Sequence, residues 1–253
     1  MRKILLLQFA VLLASCSRSN HHASSAPANF DHHFSAWGRV LARCETNEGF
    51  RYALIEKDRS DLDQALEQLS SVSPESFKSF TRDQRLAFLI NAHNAFAVRR
   101  VIKRARVLPA SGLRLRDIHL LGRAWSLVSL REEIMGTHYS DCRALFALNW
   151  GMKGCMSLPP GPAKSNGLQD LLEEQTRRFV RDPRFCTYKS DERLIRCSEL
   201  IRDYQRPIER DFTTLWGFFK HYVTPADLKN IELAEPRIRF SSFDTSLNDA
   251  PAP

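Results

Sequence analysis

Residues 85–102, RLAFLINAHNAFAVRRVI, are apolar on nearly every face of a helix through Val98. A helix without a polar side has to be enclosed by the rest of the chain, so this segment predicts a buried central helix. Thr81-Arg82-Asp83-Gln84 has capping-box spacing at its start. Arg99, Arg100 and Lys103 fall near its C-terminal end, where the helix dipole favours cations. Asn91 and Asn94 are three residues apart and share one face. Amides inside such a helix need partners, which predicts that both support the backbone of a packed loop. His93 lies between them and reads either as a core histidine or as a base.

A second stretch, Ser140 to Pro162, brings a thiol into a loop. Ala144 to Leu148 is a short apolar segment fit for a buried strand or helix end. Gly151 and Gly154 then flank Cys155 on one side, and Pro159, Pro160 and Pro162 prevent a helix from continuing on the other. A thiol so placed can be held rigidly and still reached, as a nucleophile requires; the competing reading is a buried cysteine packing as a small hydrophobe.

The N-terminal segment reads as an address. Arg2 and Lys3 precede ILLLQFAVLLAS, an apolar core shorter than the roughly 20 residues a spanning helix needs, which predicts a secretory signal at residues 1–15. Leu13-Ala14-Ser15-Cys16 resembles a bacterial lipobox. The resemblance implies cleavage before Cys16, lipid on its sulfur and, with Ser17 in place of an aspartate, sorting to the periplasmic face of the outer membrane. Residues 16–29 are a polar tether with nothing to bury; its His21-His22 pair reads as solvated linker. In an oxidising periplasm the other five cysteines could pair. Cys186 and Cys197 flank a hairpin turn centred on Ser190-Asp191-Glu192, which predicts a disulfide between them. Net charge is +8, but the basic residues are dispersed and carry no nucleic-acid motif. Partners are therefore expected to be the membrane, through the lipid anchor, and an envelope polymer or protein. No ligand spacing predicts a metal, and no cofactor is implied.

The remaining segments predict one domain over 30–249, followed by a tail at 250–253. Asp31 is placed to cap a helix presenting Phe34, Trp37 and Leu41 and ended by Gly49; FRYALI suits a short strand; Ser60 caps a helix broken by Pro74. LRDIHLLGRAWSLVSLREEI reads as a strand, a turn at Gly122 and a helix capped by Ser126. Further helices are expected at Leu168 to Phe179, after Ser198, at Leu215 to Tyr222 and from Thr224, then an extended tail, IRFSSFDTSLND. The sum is an α+β, helix-rich single domain with a small antiparallel sheet.

The order of FDHHFSAW, LAFLINAHNAFAV, GRAWSL, FALNWGMKGC and FDTSLND resembles the DUF547 family, a domain of unknown function. The resemblance implies a papain-like thiol hydrolase arrangement. It also exposes departures. Aligned without gaps from Ser126 to Leu158, Glu132 and Leu145 stand where the family has histidines, Trp150 where it usually has a cysteine, and Cys155-Met156-Ser157 replaces Cys-Pro-Pro. A thiol with no base stays largely protonated near neutrality, its unperturbed pKa being roughly 8.5, and Glu132 nearby would oppose thiolate formation further.

Three functional readings follow. The first is a lipid-anchored envelope protein whose domain has lost hydrolytic chemistry and serves as a binding or scaffold module. The second is a thiol-dependent hydrolase or acyltransferase in which Cys155 attacks, His93 or His138 is the base, and Asn149 or Asp244 orients it. The third is structural, with Cys142 and Cys155 bridged to pin the loop.

Overall fold

The computed structural model describes residues 30–103, 110–189, 192–227 and 236–251. The lipobox with Cys16, the tether with His21-His22, and the turn residues Ser190 and Asp191 lie outside them. Among the described residues no helix is long and apolar enough to cross a membrane.

The expected central helix forms as α5 (Arg82–Lys103), after α1 (Ser35–Cys44), the two-residue strands β1 (Glu45–Thr46) and β2 (Gly49–Phe50), α2 (Tyr52–Lys57), α3 (Ser60–Ser70) and α4 (Pro74–Ser79). Every residue of α5 from Leu86 to Val98 is buried. Thr81 and Gln84 close the capping box, Gln84 N–H donating to Thr81 Oγ1 at 3.2 Å and Thr81 N–H to Gln84 Oε1 at 2.8 Å. Helices α2, α3 and α6 (Leu127–Met135) pack on α5. At its end the buried Arg100 donates to the carbonyl of Gly112 and pairs with Asp117, fastening the following loop to the helix.

Strands β3 (Ile118–Leu120) and β4 (Arg123–Trp125) form the hairpin turned at Gly122, and Ser126 caps α6 through a reciprocal pair with Ser129. A 3₁₀ segment (Cys142–Ala147) leads into the Cys155 loop and packs on α7 (Leu168–Arg181). Beyond α7 come β5 (Cys186–Lys189), β6 (Leu194–Ser198), α8 (Glu199–Asp203), α9 (Gln205–Phe212), α10 (Leu215–Tyr222) and β7 (Arg237–Ser241). The architecture is α+β, mostly helical, with small antiparallel and mixed sheets.

Several local expectations are corrected. FRYALI supplies only β2 before turning into α2, because Tyr52 and Ile55, three apart, both reach the core on one helical face. Helix α1 ends at Cys44, five residues before Gly49. Gly49 lies in the β1–β2 hairpin with φ 141°, and a Cβ there would sit 2.3 Å from the Asn248 carbonyl oxygen. Ser60 is not the cap of α3: Asp58 Oδ1 accepts from both its N–H and its hydroxyl. The three-stranded sheet is mixed, since β6 pairs antiparallel with β5 and parallel with β7. Cys186 and Cys197 do face each other in the β5–β6 register, yet both are free buried thiols, so the expected disulfide is not formed.

Candidate functional site around Cys155

The loop carrying Cys155 is held at both ends by α5. Asn94 Nδ2 donates to the Ala147 carbonyl at 2.9 Å and its Oδ1 accepts the Asn149 N–H at 3.0 Å. Asn91 makes the corresponding pair with Ala163, donating to its carbonyl at 2.7 Å and accepting its N–H at 3.0 Å. One helical face thus fixes the entry and the exit of the loop. Inside it, Asn149 Oδ1 accepts the Gly151 N–H at 2.6 Å and Nδ2 donates to the Met156 carbonyl at 2.7 Å. Asn149 braces the turn that encloses Cys155, so its amide is already used within the loop.

A C-terminal strap closes the other side. Lys153 N–H donates to Ser246 O, Gly154 N–H to Asp244 O, and Asn248 N–H to Gly151 O. The strap then reaches β2, where Phe50 N–H donates to Asn248 O and Tyr52 Oη to Asn248 Oδ1 at 2.8 Å. Phe243 lies on Gly154, where a Cβ would meet its ring at 2.6 Å, and stacks on Trp150 with centroids 5.8 Å apart.

Under this cover Cys155 is 4 % exposed. Burial pushes its thiol up to about 12, against the amides of Trp150 and Met152, which hydrogen-bond Sγ, and the positive charge of Arg131. The anion-stabilising groups are present but desolvation outweighs them. Cys142 is not bridged to Cys155: it is a separate free thiol, its backbone N–H donating to Asp211 at 2.7 Å, and burial raises its pKa above the ordinary value.

Among the described residues, none of the bases or orienting groups considered from sequence has a side chain hydrogen-bonded to Cys155. His93 is 1 % exposed; its Nδ1 is 3.3 Å from Asn94 Oδ1, and its ring meets that of Trp150 edge-on at 6.3 Å. Burial first, then Arg131, lowers its pKa to about 3, so it is a neutral core histidine. His138 is exposed and lines a different cleft with Glu132 and Glu133. Asp244 is exposed and spends Oδ1 on the Ser246 N–H and hydroxyl; those bonds lower its pKa. Glu132 is exposed and lines that other cleft, and Leu145 is fully buried in the 3₁₀ segment. The charged neighbour of the thiol is Arg131, one residue earlier on α6, which the sequence reading missed. Neighbours on a helix are turned about 100° apart, so a shift of one residue sends a side chain from the loop to solvent.

Arg131 stands over the Trp150 ring at 5.0 Å and the Tyr204 ring at 5.5 Å. With Met152, Leu200 and Phe243 these side chains line a cleft of about 410 Å³ beside the Cys155 loop, with Glu199 and Asp203 at its edge. Among the described residues no cluster of three or more His, Cys, Asp or Glu could hold a metal.

The part of the chain that builds the central helix, the Cys155 loop and α7 is also the part with a counterpart among known families. The model of the DUF547 family, described as a protein of unknown function, matches residues 77–180. No curated protein and no solved structure matches the chain. The DUF547 match takes in Asn91, Asn94, Arg131, Asn149 and Cys155, whereas the strap that seals the loop lies C-terminal to it.

Proposed function

We propose that this is an envelope lipoprotein, anchored through Cys16 at the periplasmic face of the outer membrane, whose DUF547 domain is a binding or scaffold module and not a thiol enzyme. The observation that carries the reading is Cys155 itself: the thiol is covered by its own loop and strap, holds its proton to about 12, and among the described residues has no histidine bonded to it. Nucleophilic catalysis needs a thiolate and an approach path, and this arrangement supplies neither. The cleft beside the loop, lined by Trp150, Tyr204 and Phe243, supports binding as the retained activity. Its occupant would be an envelope polymer or protein, with the lipid anchor supplying the contact to the membrane.

The two amides bonded to Sγ favour the alternative of a thiol-dependent hydrolase or acyltransferase, since such donors stabilise an anion. Mass spectrometry of the folded chain after incubation with a small acyl thioester separates the two. The binding reading expects no acyl group on Cys155; a stoichiometric adduct there, absent from Cys155→Ser, would establish the enzyme. For the anchor, Cys16→Ser should move the protein from the membrane fraction to the soluble periplasm, and retention in the membrane would contradict lipidation.

A further inference from the structure

Among the described residues Arg131 is a cation without a counter-ion. Its Nε is buried and has no hydrogen-bond partner among the described residues, and its hydrogen bond to Tyr204 does not neutralise it. Of the acids around it, Glu132 is exposed to solvent and acts on Tyr204 only through its charge, and the others are committed to other groups. Glu133 pairs with Arg123 at 3.5 Å; Glu199 accepts the Phe243 N–H at 3.0 Å and pairs with Arg202; Asp203 also lies against Arg202. Among the described residues no carboxylate pairs with Arg131, although a half-buried guanidinium gains most from a bidentate carboxylate. The guanidinium instead faces aromatic rings in a cleft whose walls are mainly apolar.

We propose that Arg131 is the carboxylate-binding residue of this cleft and that the ligand it takes is a small monocarboxylate bearing a planar ring, packed against Trp150, Tyr204 and Phe243. A single guanidinium matches a single carboxylate in charge and geometry. The rings provide a stacking surface, and the volume of about 410 Å³ suits a small molecule or one residue of a polymer. Glu199 and Asp203 at the rim repel a dianion more than a monoanion, which disfavours a phosphate. The inference rests on the binding-module reading and gives that module a ligand class.

The test is calorimetric titration of the full chain with benzoate, benzyl alcohol and phenyl phosphate. Benzoate is expected to bind more tightly than either. Arg131→Gln should weaken benzoate by about tenfold or more and leave benzyl alcohol unchanged; Arg131→Lys, which keeps the charge without the fork, should fall between. Asp203→Asn, at an exposed position, should tighten benzoate by relieving repulsion. Equal affinity for benzoate and benzyl alcohol, tighter phenyl phosphate, or indifference of benzoate to both Arg131→Gln and Asp203→Asn would overturn the assignment. Failure of benzoate to bind a chain whose Cys155 takes no acyl group overturns the ligand class alone. A Cys155 acyl adduct whose formation benzoate blocks overturns the binding-module reading and leaves Arg131 its role.

Discussion

At the scale of single residues, burial sets which groups can ionise. Glu45 lines a cleft with Leu158, Pro160 and Arg178, and burial raises its pKa to about 8 despite the Arg178 charge. The unfolded chain gives up this proton near the ordinary 4.5, whereas the folded chain keeps it to about 8. Its stabilising contribution is therefore full below 4.5 and is lost as pH rises through 8. Glu45→Gln should flatten the fall in urea midpoint between those pH values, and an unchanged slope would show that Glu45 ionises normally. Cys155 obeys the same sign at higher pH: burial keeps its neutral form, and neither Arg131 nor two amides reverse that. A thiol beside a cation is thus not by itself an activated thiol; the balance is set by how much water reaches the sulfur.

At the scale of elements, α5 acts as the clamp of the Cys155 loop. Removing either asparagine leaves a buried carbonyl and a buried N–H without partners, so Asn91→Ala and Asn94→Ala should each cost about 2–4 kcal/mol in urea unfolding. A loss under 1 kcal/mol would mean that the loop is held by other contacts. The helix itself could be read from sequence because an apolar surface on every side admits one placement, and the Thr81/Gln84 and Ser126 caps could because they are local. FRYALI could not, since a short, largely apolar run suits strand or helix equally and only packing on α1 and α5 decides. Arg131 was hidden for a different reason: choosing it over Glu132 needs the rotation of α6 to within one residue, which its hydrophobic pattern does not supply. The parallel pairing of β7 with β6 joins segments far apart in sequence, and no local signal announces it.

Across the whole molecule, the site is a join between distant parts of the chain. Tyr52 and Asn248, 196 residues apart, bond across the strap, and isolated bridges Phe50↔Asp249 and Met152↔Leu247 tie it to β2 and to the loop. The sequence showed the Cys155 loop and its supporting asparagines but not this cover. Gly49 is where the join is tightest, because only a residue without Cβ admits the Asn248 carbonyl at a φ of 141°. Gly49→Ala should loosen the strap and speed alkylation of Cys155 severalfold, whereas unchanged labelling would mean that the strap does not guard the thiol.

Whether Cys155 is a sealed and protonated thiol is read by alkylating the folded chain with iodoacetamide from pH 6 to pH 11 and following Cys155 by peptide mapping, with labelling of the urea-unfolded chain as reference. Labelling should be far slower than in the unfolded chain at every pH up to about 10, as burial and a thiol pKa of about 12 require. Rapid labelling of Cys155 below pH 8 would contradict it, establishing an open, activated thiolate and an enzyme in place of a binding module.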